Sequence, residues 1–173
     1  MCKCANVQMC KSKMKIMKEV SINKEMKLSP HFTLGELTKT SYHTADGNIP
    51  SHVAIENLKN LCENWLEDLR YSYNTLYGDE EMPLIITSGY RSEEVNRLCG
   101  GANGSNHLTG CAVDIRCMGP EHQIRMASIL LDIADGSKRE FDELIFEKRG
   151  STRWIHFAVR PKDNRRKIFF DMR

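Results

Sequence analysis

Between Cys111 and Cys117 the chain alternates residue by residue, and this constrains the fold more than any other stretch. Cys111, Val113, Ile115 and Cys117 fall on one side of an extended chain, with Ala112, Asp114 and Arg116 on the other. That is the pattern of a strand with one buried face. Asp114 then stands on the polar face of a sheet. Upstream, Ser105-Asn106-His107-Leu108-Thr109-Gly110 ends in a glycine turn able to swing His107 back over Asp114. An imidazole nitrogen and a carboxylate oxygen meeting over a sheet are two donors of an open zinc site. Trp154-Ile155-His156-Phe157-Ala158-Val159 offers the third. There Ile155, Phe157 and Val159 suit a core, which leaves Trp154, His156 and Ala158 on the opposite face.

The rest of the chain reads as helices followed by a sheet. Thr33 with Glu36 three residues on is a capping box, so a short helix should begin there and bury Leu34 and Leu37. Thr38 to Pro50 reads as loop, with a turn at Asp46-Gly47-Asn48. From Ser51, Ala54, Leu58, Leu61, Trp65 and Leu69 make one apolar stripe, the longest helix, ending before Gly78. After Pro83 comes a short strand, Leu84 to Ser88, broken by Gly89. Ser92 then caps a brief helix with Glu93 and Glu94 in its first turn, stopped by Gly100-Gly101. Glu121 to Ala134 suits a second amphipathic helix with Ile124, Ala127 and Leu131 on its stripe, ended by Asp135-Gly136. Phe141 to Glu147 alternates as a strand, and Arg149-Gly150-Ser151 turns it into the His156 strand. The expectation is an α+β fold, a small, mostly antiparallel sheet packed by amphipathic helices.

A length of 173 residues and 40% hydrophobic content suit one domain with a proper core. Residues 1–27 carry seven Lys against two Glu, a local +5, which leaves about −3 for the remainder of a +2 chain. The segment Arg160–Arg173 is basic again. Both runs are read as solvated termini, with attraction to an anionic polymer as the sharper alternative. Residues 1–27, rich in Cys, Met and Lys, are read as a flexible tail, and 28–173 as a single domain. No basic stripe interleaved with aromatics points to nucleic acid. No run approaches the roughly 18 apolar residues that would insert in a membrane. The beginning also lacks the roughly 7–15-residue apolar core of a secretory signal, so synthesis in the cytoplasm is expected. Seven cysteines argue against a complete disulfide framework. Cys111 and Cys117, six apart on one strand, lie roughly 20 Å apart at about 3.3 Å per residue and cannot bridge. Cys2, Cys4 and Cys10 fit no standard zinc knuckle. Reduced, mostly buried thiols are expected.

A histidine and an aspartate seven apart are common by chance, but the longer string is specific. S-x-H-x-x-G-x-A-x-D, preceded by Ser88-Gly89-Tyr90-Arg91-Ser92 and followed by a Trp-x-His strand, resembles the zinc peptidases of the D-alanyl-D-alanine carboxypeptidase type. That group includes the vancomycin-resistance D,D-dipeptidases and phage endolysins, and its fold is shared with hedgehog-type proteins. The resemblance runs from about Leu28 to Val159, including Phe32-Thr33-Leu34-Gly35-Glu36-Leu37, and is strongest to short phage and prophage members.

The resemblance implies one zinc ion on His107, Asp114 and His156, with a fourth position for water whose pKa falls from 15.7 to about 7. It implies that Arg91 steadies a developing oxyanion and grips substrate, and that Ser105 binds substrate, although Ser105 is equally suited to capping its own loop. Tyr90 is read as packing, and His31, His43, His52 and His122 as surface or loop residues without partners. The match fails at the general base. Family members carry Glu or Asp three residues before the second histidine, where this chain has Arg153. A hairpin about Arg149-Gly150 would bring Glu147 beside Trp154 and His156, so Glu147 is the expected catalytic base, with Glu143 behind it. The implied function is hydrolysis of an amide in peptidoglycan stem peptides, as a D-Ala-D-Ala carboxypeptidase or an L-Ala-D-Glu endopeptidase. The enzyme is expected to be a monomer that reaches the wall after lysis or holin-type release. The alternative is a non-catalytic metal-binding module that binds wall peptide or a protein.

Overall fold

The computed structural model describes residues 23–78 and 81–172. The cysteines and methionines of residues 1–22, Cys2, Cys4 and Cys10 among them, lie outside the described residues.

Helix α1 (Leu34–Leu37) starts at Thr33, whose side chain accepts from the Glu36 amide while the Glu36 carboxylate accepts from the Thr33 amide. Ser51 caps α2 (His52–Leu61) by accepting from the Ala54 amide. The stripe that predicts one helix is carried through a wide π turn, Cys62–Leu66, into α3 (Glu67–Tyr77). Leu58, Leu61, Cys62, Trp65, Leu66 and Leu69 are all buried along it. Helix α4 (Glu93–Leu98) is capped by Ser92, and α5 (Pro120–Ser137) is the longest helix among the described residues.

Five strands form one sheet: β1 (Ile86–Ser88), β2 (Ala112–Cys117), β3 (Glu143–Arg149), β4 (Thr152–Ala158) and β5 (Lys167–Met172), in the order β1-β2-β4-β3-β5. All pairs are antiparallel except β3 with β5. One face carries Val113, Ile115, Leu144, Ile155 and Phe157 into the core, where Trp65 meets Phe141 and Phe157. Burying each such side chain is worth about 1.5–3 kcal/mol. The helices cover that face, which leaves the other face open to a mixed set of polar and apolar residues. Across it, register aligns Ser88, Asp114, His156, Ile145 and Phe169 in one row.

Several expectations need correction. The basic C-terminal run is no solvated tail: its Ile168-Phe169-Phe170 stretch pairs with β3, and Phe170 stacks on Phe146 with ring centroids 4.5 Å apart. Arg165 and Arg166 spend their charge on Asp142, Glu143 and Asp135. Helix α5 is rotated from the expected stripe. Ile124 is 62% exposed, and Gln123, Met126, Ala127, Leu130 and Ala134 face inward. Gln123 qualifies because its amide donates to the Glu147 and Trp154 carbonyls, so a polar residue holds helix to sheet. Asp135-Gly136 does not end this helix, which continues to Ser137 and closes at Lys138 with φ +57°. His31 has a partner, the Glu67 carboxylate 2.6 Å from its Nδ1, and His122 accepts from the Met118 amide. Cys62, Cys99, Cys111 and Cys117 are free thiols. No helix among the described residues is long and apolar enough to cross a membrane.

Candidate metal centre

Three donors meet on the open face of the sheet. Asp114 and His156 are cross-strand partners on β2 and β4, so their side chains rise side by side. His107 arrives from a 3-10 turn, Asn106–Thr109, that ends at Gly110 with φ +71°. A Cβ at Gly110 would sit 2.4 Å from the Ala54 carbonyl oxygen, so only glycine permits this turn against α2. Asp114 Oδ1 lies 3.2 Å from His107 Nε2 and 3.0 Å from His156 Nδ1, and the two nitrogens are 3.2 Å apart. All three residues are buried.

The surroundings decide which atoms point inward. His107 Nδ1 lies 2.6 Å from the Gly89 carbonyl oxygen. That oxygen can only accept, so Nδ1 carries the proton and Nε2 offers a lone pair. Gly89 is held in turn, because a Cβ there would lie 2.3 Å from the Leu37 carbonyl oxygen. His156 Nε2 faces Glu143 Oε2 at 3.6 Å, which turns Nδ1 toward Asp114. The second Asp114 oxygen accepts from Arg91, whose Nε also donates to Ser88 Oγ at 2.7 Å. Burial would raise the Asp114 carboxyl, but the two histidines outweigh it and keep the group ionised, far below its ordinary value. Burial depresses His107. His156 is also pushed down by burial, yet Asp114 and Glu143 lift it to about 9. His107 Nε2, with its inward lone pair, His156 Nδ1, which offers one once its proton leaves, and the Asp114 carboxylate lie about 3 Å apart, a set that a cation could share.

The donor set suits zinc. Ligand atoms at about 2.0–2.1 Å from a tetrahedral ion stand roughly 3.3 Å from one another, close to the separations found here. His107, Asp114 and His156 are also the one group among the described residues whose donor atoms are close enough to share a metal. The outer partners Gly89 and Glu143 are of the kind that fix ligand tautomers around metals. Neither is legible in the sequence, because a backbone carbonyl leaves no signature and the spacing of Glu143 suggests only a base.

The remaining expected residues are placed as follows. Glu147 lies opposite Trp154 in the β3–β4 register, on the same face as His156, and lines the cleft with Arg91, Ser105 and His107. Burial raises its carboxyl above the ordinary range, and the nearby Asp114 charge adds to this. Ser105 lines the cleft and caps the 3-10 turn by accepting from the His107 amide at 3.3 Å. Arg91 pairs with Asp114, while Glu94 accepts from the Ala45 amide. Arg153 turns away from the centre. Strand alternation sends it to the helix side of β4, where its Nη1 lies 3.5 Å from Gln123 Oε1.

Beneath the centre, Asp142 is fully buried and accepts from Arg165 Nε at 2.7 Å, Arg165 Nη2 at 2.5 Å and Asn106 Nδ2 at 2.8 Å. Asn106 and Arg165 also hold Glu143, so this cluster ties the His107 turn to β3 and β5. Burial works to raise the Asp142 carboxyl, but Arg165 and Asn106 win and bring it down to about 2. A depressed folded-state pKa gives stability that is present above the unfolded value of about 3.9 and lost as pH falls toward 2. Asp142→Asn is therefore expected to cost about 1–3 kcal/mol near neutrality, because the buried charge-assisted hydrogen bonds from Arg165 are weakened while Arg165, 41% exposed, keeps Glu143. Urea unfolding of both proteins should show that gap narrowing between about pH 4 and 2.

No curated protein matches the chain. The family model described as Peptidase M15 matches residues 30–157, which takes in the Thr33 capping box, the Arg91 turn, the His107 loop and both ligand-bearing strands. The chain belongs to the peptidase M15 family.

Proposed function

We propose that this chain is a zinc-dependent peptidase that hydrolyses an amide in peptidoglycan stem peptides, with residues 28–173 as the catalytic unit. The observation that carries the reading is the buried triangle of His107 Nε2, Asp114 Oδ1 and His156 Nδ1, whose protons and orientations are set by Gly89, Glu143 and Arg91. His107, Asp114 and His156 would hold the ion. When bound, it supplies Lewis acidity, polarising an amide carbonyl and making water a nucleophile near neutral pH.

The chain's own residues supply the rest. Arg91 is anchored through Ser88 and Asp114, so its guanidinium is fixed at the cleft wall, ready to donate to a carbonyl oxygen gaining charge. Ser105 lines the same cleft and positions substrate. The two carboxylates of β3 are driven apart. Glu143 is lowered, first by His156 and further by Arg165, and so stays ionised as an orienting partner. Glu147 is raised and therefore holds and releases a proton more readily near neutral pH. Glu147 is the group we assign as general base and proton shuttle, in place of the family carboxylate whose position Arg153 occupies. Support for peptidoglycan comes from the family's peptidase character together with the sequence resemblance.

The test is incubation of purified muropeptides with the protein, with and without chelator, read by mass spectrometry. The expected result is two products whose masses sum to that of the muropeptide plus one water, with their formation abolished by chelation and restored by zinc. Release of free alanine marks carboxypeptidase action, and a new internal amino terminus marks an endopeptidase. Unchanged muropeptides in the presence of a zinc-loaded protein would favour the non-catalytic binding module, which the Arg153 departure keeps in view.

A further inference from the structure

The cleft has a second recess, on the Arg116 side of the centre, which shares Arg91 and Asp114 with it. It measures about 310 Å³ and is bounded by the loop Lys39–Tyr42, by Tyr90 and Arg91, and by Arg116 and Trp154. That is at the small end of ligand pockets, roughly 300–1,000 Å³. Its charge is one-sided. Asp114 is the single acid in its wall, and Asp114 is already engaged by Arg91 and both histidines. Lys39 and Arg116 are exposed, and neither side chain makes an ion pair or hydrogen bond with the described residues, whereas Arg153, also in the wall, is directed at Gln123. The wall on the other side of the centre carries Glu143 and Glu147. The acids of the cleft thus gather on that side, with Asp171 and Arg149 beside them and Glu143 paired to Arg165.

Unpaired cations in a concave wall between aromatic side chains are a receptor for an anion. Arg116 lies two residues beyond Asp114 on the same face of β2, about 6–7 Å along the strand. A peptide advances at most about 3.3–3.6 Å per residue, so a group held there lies one or two residues past a carbonyl at the metal centre. Resting on the peptidase reading above, we propose that Lys39 and Arg116 form a subsite for a substrate carboxylate. That subsite orients the peptide with its carboxylate away from Glu143 and Glu147, where like charge would repel it. The carboxylate can be the chain terminus or an acidic side chain, and the two sources are separable by experiment.

The probes are synthetic stem-peptide fragments that carry both a free terminal carboxylate and an acidic side chain, with each replaced in turn by its amide. Binding to the full chain is read by calorimetry after metal removal by chelator, so no turnover is needed. The same fragments are then offered to the zinc-loaded protein for hydrolysis. One amide replacement is expected to weaken binding about tenfold, and which one identifies the source. Lys39→Ala with Arg116→Ala should bring that ratio below about threefold while leaving affinity for the amide fragment within about threefold. Arg116→Glu should reverse the preference, and circular dichroism checks that these surface variants remain folded. Equal binding of acid and amide by the wild type, or a preference that survives the double substitution, overturns the subsite. A carboxylate preference without hydrolysis overturns the peptidase reading instead and leaves the subsite standing.

Discussion

His156→Ala is expected to empty the metal centre and to stop turnover together. His156 is buried, and its Nδ1 is aimed at the point shared with Asp114 and His107. Two protein donors bind zinc far less well than three, and alanine returns nothing to the site. The metal's share of transition-state stabilisation is several kcal/mol, and each 1.36 kcal/mol is tenfold in rate. A fall of about 10³-fold or more in kcat/KM follows from these figures. Equilibrium dialysis with elemental analysis should find about one zinc per wild-type chain and a small fraction of that in the variant. Full zinc occupancy in His156→Ala would remove it from the ligand set.

The second large effect belongs to Glu147→Gln. The amide matches the carboxylate in shape, so folding and zinc content should be retained while the proton acceptor is lost. A general base contributes about 10²–10⁴-fold, and kcat should fall by that amount with KM changed only a few-fold. The wild-type pH–rate profile should rise through a limb set by a carboxyl lying above the ordinary glutamate range, because burial and the Asp114 charge both favour its protonated form. That limb should be absent from the variant. A loss of less than about tenfold would leave Glu147 as a plain wall residue.

The approach of His107, Asp114 and His156 was legible because two of them lie in strongly alternating strands and the third beside a glycine turn. Cys111 to Cys117 and Trp154 to Val159 alternate cleanly, and Gly110 marks the turn between His107 and β2. What lay hidden depended on groups without side-chain signatures or on choices between similar stripes. The Gly89 carbonyl that orients His107 is backbone. Ile124 looked like core on α5, but Gln123 took the inward position because the β3 and β4 carbonyls needed a donor. Strand β5 was obscured by the charges around it, which are absorbed by Asp142, Glu143 and Asp135 from distant parts of the chain.

By itself, the amino-acid order determined where strands, caps and turns fall and which side chains share a face, because those follow from periods of two and 3.6 residues and from local hydrogen bonds. Which atoms of the histidines point inward was decided only by the packed fold, as was the direction in which Arg153 turns and the sorting of charge along the cleft. Those outcomes depend on pairing across strands and on burial, which join residues that no spacing along the chain relates.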